Sequence, residues 1–285
     1  MLDQVFSTES KLAYVDQLVD AGITRIQVAS FVHPKLVPQM ADADAVCKGL
    51  KKKEGVIYSG LTLNSKGVER AINAELNHIS CSISASNTHS QKNTRKTLGE
   101  AKIDFASMVK LARSNGLVVR GGVQSAFGCR YEGKIDKTHV LDLIKHHLDH
   151  GCDEIALADS TGMADPQTIH HTMKRVLEVA GDKPVILHLH NTENKGLANV
   201  YAALEAGVRY FDTAFGGLGG CPFIKSATGN IATEDTAHML HQMGYETGVY
   251  IEKVAEVSKD VESRLGYELP GQLYKIWNQD GIKIA

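Results

Sequence analysis

What most constrains the fold of this chain is an alternation, a short β-branched run followed by a longer amphipathic stretch, repeated along nearly the whole length. The short runs lie at 23–29 (ITRIQVA), 55–61 (GVIYSGL), 77–83 (NHISCSI), 117–123 (LVVRGGV), 153–158 (DEIALA), 184–190 (PVILHLH) and 209–215 (RYFDTAF). Each is apolar, short and followed by turn or polar residues, as buried strands are. Helical spacing marks 8–21, 40–52, 65–74, 98–115, 137–150, 166–180, 194–206 and 232–243. In 194–206, Leu197, Val200 and Leu204 recur on one face and Gly207 stands as the C-terminal stop. Gly116 and Gly151 hold the same place before their strands.

Strict alternation of this kind implies parallel strands joined by right-handed crossovers. A doubly wound open sheet and a closed (βα)8 barrel compete. No G-x-G-x-x-G follows an early strand, and polar residues recur at the C-terminal ends of several strands, where a barrel builds its site. The expectation is an α/β protein of the TIM (βα)8 type, one domain over 1–285. Seven strands follow a leading helix, so the expected barrel is one that lacks its first strand. A helix at about 250–264 precedes a polar tail to 285, read as a cap or surface arm.

Charge and cysteine usage narrow the function classes. Lys and Arg number 31 against 33 Asp and Glu, a net charge of −2 that lacks the basic face nucleic-acid binding wants. No run of about 18 uncharged apolar residues is present to span a membrane. Five cysteines, widely spaced and without a CxxC pair, argue against a disulfide framework or zinc knuckle and for a reducing compartment. MLDQVFSTESK is neither a secretory signal nor an Arg-rich transit peptide. The expected location is cytoplasmic, with a mitochondrial leader ahead of the missing strand as the alternative.

Chemistry-bearing residues cluster at strand ends. His188 and His190 occupy i and i+2 of one strand, so both imidazoles project from the same face. That is a metal-ligand arrangement or, more plainly, two polar residues closing a strand. The run Gly216-Gly217-Leu218-Gly219-Gly220-Cys221-Pro222 is shaped for mobility or for contact with a ligand. Cys221 at its tip reads as an exposed thiol or a buried small residue. Asn230 could return to the mouth as an oxygen ligand. Asp159, with Ser160 and Thr161, suits a base, a metal's outer partner or a helix N-cap, capping being the more frequent job. Arg120 in an otherwise apolar strand is costly unless paired, so it should reach the mouth and meet an anion or carboxylate.

Several segments together resemble the hydroxymethylglutaryl-CoA lyase family. They are Ser30-Phe31-Val32-His33-Pro34-Lys35, Val37-Pro38-Gln39-Met40, Val119-Arg120-Gly121, Gly128-Cys129-Arg130-Tyr131-Glu132-Gly133, His188-Leu189-His190-Asn191-Thr192 and Gly217-Leu218-Gly219-Gly220-Cys221-Pro222. The likeness runs from about residue 8 to 265, and ATGN-x-ATED behind the glycine loop belongs to the lyase branch. It implies a TIM-barrel carbon–carbon lyase of leucine catabolism and ketone-body formation, cleaving 3-hydroxy-3-methylglutaryl-CoA to acetyl-CoA and acetoacetate. It implies His188, His190 and Asn230 as ligands of Mg²⁺ or Mn²⁺, and Cys221 as the catalytic loop thiol. Arg120 and Asp159 match positions lining the site, and Gln27, Ser125 and Thr161 become substrate contacts. The implied partners are an acyl-CoA substrate and a second copy in a homo-oligomer, expected as a dimer.

Two departures accompany the resemblance. The family opens with a strand ending in Arg-Asp-Gly, whose Asp is a metal ligand; nothing here matches it. An open sheet edge, self-association and little or no lyase activity are the corresponding expectations, and a catalytically dead member is one alternative. The family also has glutamate where this chain has Gln27, which opens a second alternative, a lyase or aldolase acting on another 3-hydroxyacyl-CoA or a 2-keto acid.

Overall fold

A computed structural model describes residues 5–219 and 229–277. Seven strands pair in parallel and in chain order: β1 (Arg25–Ser30), β2 (Ile57–Thr62), β3 (His78–Ser84), β4 (Val118–Gln124), β5 (Glu154–Asp159), β6 (Val185–Leu189) and β7 (Tyr210–Asp212). Among the described residues β1 pairs only with β2 and β7 only with β6, so these two are the edges. The sheet is strongly curled. Arg25 on β1 reaches Glu154 on β5, and Arg120 on β4 reaches Asp212 on β7, contacts that chord across strands which never pair. Arg25 also lies 5.9 Å from the ring centroid of Tyr210, so side chains span the gap between the edges. The fold is the expected α/β type, a TIM-barrel-like sheet with seven strands among the described residues.

Helices alternate with the strands and follow the last of them: α1 (Thr8–Asp20), α2 (Ala43–Gly49), α3 (Ser65–Asn73), α4 (Asn87–Thr94), α5 (Leu98–Ser114), α6 (Lys137–Asp149), α7 (Pro166–Ala180), α8 (Gly196–Ala206), α9 (Thr233–Gln242), α10 (Ile251–Leu265) and α11 (Leu273–Ile276). Period-two alternation sorts the strands. Ile79, Val119, Ile155, Leu157 and Leu187 pack outward against Phe105, Leu143, Ile144, Ile169 and Met173 in one continuous core. The opposite face carries His78, Arg120, Glu154 and His188. His147 is fully buried within that core, stacked on Phe105 with its Nε2 at 3.1 Å from the Gly122 carbonyl; it is a packing residue. The four described cysteines, Cys47, Cys81, Cys129 and Cys152, are buried and free. Among the described residues no helix is long and apolar enough to cross a membrane.

Two segments are not set by an apolar periodicity. α4 has no apolar face for periodicity to detect; it is started by Ser86, whose hydroxyl accepts from the His89 N–H at 3.0 Å. The described part of the segment after α10 packs as the cap, not the surface arm, of the two readings its sequence allows. Leu269, Leu273 and Tyr274 are buried, Leu269 and Tyr274 beside Tyr14, Val257 and Val261 and Leu273 beside Ala237 and Ile251, so the stretch packs on α1, α9 and α10.

Candidate metal centre

His188 and His190 leave the C-terminal end of β6 on the concave face, and their Nε2 atoms stand 3.2 Å apart. His190 is 7% exposed, and burial, helped by the neighbouring His188, pushes its pKa down to about 3. It is therefore the neutral imidazole that ligation requires. Two nitrogens bound to one ion at about 2.1 Å and a right angle would lie about 3.0 Å apart, close to the spacing found.

The third donor arrives from another segment. Residues 229–231 run antiparallel beside the end of β6: Asn191 N–H donates to Gly229 O at 2.8 Å, and Ile231 N–H to Leu189 O at 3.1 Å. Asn230 is thereby held next to His190. Its Nδ2 donates to Leu218 O at 2.7 Å, while its buried Oδ1 has no partner. The amide is thus fixed with its oxygen free, as an oxygen ligand would be. Glycine is required here. Gly219 (φ +100) and Gly229 (φ +89) stack so closely that a Cβ on Gly229 would sit 1.5 Å from Gly219 O. Among the described residues no three His, Cys, Asp or Glu side chains gather as a metal cluster. Two imidazoles and one amide oxygen nevertheless fit a divalent cation whose remaining ligands are water and substrate oxygens.

Below the pair lies a chain of charges. Arg120, 8% exposed, binds Glu154 Oε2 through Nε at 3.2 Å and both oxygens of Asp212 through Nη1 at 3.0 and 3.2 Å. It meets carboxylates, as an arginine in a strand should. Glu154 also takes Arg25 and, at 3.3 Å, His78 Nε2. Burial works against its charge, but hydrogen bonds from His78 and Arg25 and the nearby Arg120 hold its pKa at about 2.

The other anticipated residues are distributed unevenly. Asp159 pairs in register with Leu189, whereas His188 pairs with Ala158, so Asp159 faces away from the histidines. Its oxygens accept from Met163 N–H and Ala164 N–H at 3.1 Å each, and burial raises its pKa to about 6. The geometry thus favours its loop-capping reading over its reading as a base. Thr161 is buried and donates to Gly128 O at 3.3 Å. Ser125, at the end of β4, holds a left-handed φ of 54° and a buried hydroxyl without a partner. Gln27 is exposed on β1 and lines a cavity of about 260 Å³ with Tyr14, Ile26, Phe215 and Leu218. Leu218 joins this cavity to Asn230. Cys221 lies outside the described residues.

Two carboxylates escaped sequence reading. Asp212 stands in register with His188 on the neighbouring strand, its Oδ2 3.7 Å from His188 Nδ1. Glu234 is fully buried in the first turn of α9; its oxygens accept Gly216 N–H at 3.0 and 3.1 Å and the Ser258 hydroxyl at 2.8 Å. It ties the glycine loop to α10. The ATED run was its only signal.

The HMGL-like family description matches residues 1–261. The chain is 34% identical to hydroxymethylglutaryl-CoA lyase of Bacillus subtilis, over 95% of this chain and 91% of that protein. It is 35% identical to (R)-citramalyl-CoA lyase of Chloroflexus aurantiacus, over 95% and 89%. The solved HMG-CoA lyase of Acinetobacter baumannii, in complex with coenzyme A and 3-methylmalate, superposes with a TM-score of 0.94 at 37% identity, covering 100% of this chain and 93% of that one. Family match, kinship over nearly the full length and superposition agree, and the chain belongs to the HMGL-like family.

Proposed function

We propose that this protein cleaves 3-hydroxy-3-methylglutaryl-CoA to acetyl-CoA and acetoacetate at a divalent cation, Mg²⁺ or Mn²⁺, held by His188, His190 and Asn230. The observation that carries this reading is the pair of Nε2 atoms 3.2 Å apart, with Asn230 bridged through the backbone to His190 and its Oδ1 without a partner. When bound, the cation polarises the substrate's tertiary hydroxyl and lowers its pKa. His190 and Asn230 would supply uncharged donors, and a hard cation held there would draw its anionic oxygens from the substrate carboxylate.

Within the reaction, His190 stays uncharged because it is buried, and Asn230 keeps its oxygen forward because Leu218 O holds its nitrogen. The hydroxyl proton passes to a base in the site, the C2–C3 bond breaks, and the electron pair stays on the acetyl-CoA carbon, which takes up one proton in its place. Arg120 is shared between Glu154 and Asp212, so its part is to organise the floor of the site. Cys221 is the proposed proton donor to the leaving carbon.

A second reading, cleavage of (R)-citramalyl-CoA, is favoured by Gln27 and by the 35% identity to that lyase. The test is to supply both thioesters separately with Mg²⁺ and identify the keto acid released. Acetoacetate from the first, at a kcat/KM at least tenfold above that for the second, is the expected result. Pyruvate from the second alone would transfer the assignment.

A further inference from the structure

Asp212 has no part in the chemistry outlined above, yet it is the carboxylate placed on His188. The two residues are register partners on adjacent parallel strands, so their side chains leave the same concave face. Asp212 Oδ2 lies 3.7 Å from His188 Nδ1, on the opposite side of the ring from the Nε2 that faces His190. It therefore stands behind the imidazole and cannot share an ion with both Nε2 atoms. Arg120 fixes its position through Nη1, and Arg120 is itself anchored by Glu154.

We propose that Asp212 is a positioning residue that selects the donor nitrogen of His188, keeping the proton on Nδ1 so that Nε2 offers its lone pair to the cation. This rests on the reading of His188, His190 and Asn230 as cation ligands. A ligating histidine commonly gives its other N–H to a carboxylate, which fixes the tautomer and the ring orientation. Arg120 makes the arrangement directional. Because the guanidinium only donates, it demands an acceptor from residue 212. In Asp212→Asn the single oxygen stays on Arg120, and the amide N–H₂ turns toward His188 Nδ1. A donor facing Nδ1 drives the proton to Nε2, the nitrogen that must stay bare; the same substitution in a serine-protease triad selects the wrong tautomer.

The consequence is an ordering that packing alone would not produce: Asp212→Asn, although nearly isosteric, should harm cation binding more than Asp212→Ala. Two readouts test it on the full chain, with folding checked by circular dichroism. The first is the His188 tautomer in the metal-free protein, from ¹⁵N shifts of the ring nitrogens. Nδ1–H is expected in the wild type and Nε2–H in Asp212→Asn. The second is Mn²⁺ affinity from the electron paramagnetic resonance signal of the free ion, expected to weaken about 10- to 100-fold in Asp212→Asn and less in Asp212→Ala. An unchanged tautomer in Asp212→Asn overturns the proposal, as does Mn²⁺ affinity within twofold of wild type. A wild type that binds no Mn²⁺ would instead overturn the cation site, while the tautomer still decides the role of Asp212. Should Asp212→Ala fail to fold, the tautomer of Asp212→Asn decides alone.

Discussion

Glu234 is buried against Gly216 and Ser258, and burial raises its pKa from 4.5 to about 7, with the hydrogen bonds from Ser258 and Gly216 working the other way. The folded chain therefore binds more protons here than the unfolded chain between about pH 4.5 and pH 7. Stability falls as pH rises through that window, by on the order of 2–3 kcal/mol from this one group. Glu234→Gln should make the slope shallower by this share and leave the part that Asp159 contributes, measured as urea midpoints at pH 5 and pH 8. An identical slope in the variant would show that the shift has another source. At this scale the sequence was legible wherever one strand decides the geometry, as at His188 and His190. The alternation in 153–158 already separates Glu154 and Ala158 from Ile155 and Leu157, and Asp159 belongs with the second set. Of the readings open to its carboxylate, this face agrees with capping. Asp212 and Glu234 were illegible because their partners come from other strands and helices, through a curl that spacing does not encode.

Among the elements, strands and long helices followed their periodicities, because one apolar face must meet the sheet. α4 and the stretch after α10 did not. α4 buries only His89 and Ser90 and is carried by its cap. Leu269, Leu273 and Tyr274 are spread among Gly, Pro, Gln and Lys, so the segment reads as a tail until α10 offers its face. Tyr274 is 1% exposed, its hydroxyl bonded to Glu262 and accepting from Leu269 N–H at 3.0 Å. Asp235 on α9 accepts Leu273 N–H at 2.7 Å, so α11 hangs from the helix that follows the site loop. Tyr274→Ala should cost about 3–5 kcal/mol in chemical denaturation, the range for truncating a buried aromatic. A loss below 1 kcal/mol would return the segment to the surface.

For the whole molecule, the order of strands, the parallel pairing and the placement of the histidines at strand ends all follow from the alternation of runs in the sequence. The concave face is where that logic stops. Arg25, His78, Arg120, Glu154 and Asp212 form one connected set of polar side chains from β1 to β7, and its far end is His188. Arg120 and Glu154, buried at its centre, keep the floor of the site rigid, since removing either leaves the other without its partner. The central claim is that the lyase reaction runs at a cation held by His188, His190 and Asn230. The most direct measurement is acetoacetate release from 3-hydroxy-3-methylglutaryl-CoA after exhaustive chelation, followed by stepwise return of Mg²⁺ or Mn²⁺. Activity should vanish on chelation and return with either ion, at lower concentration for Mn²⁺ because imidazole nitrogen favours it. His190→Ala should stay inactive throughout the titration. Turnover that survives chelation, or a His190→Ala variant that recovers with the wild type, would contradict the account.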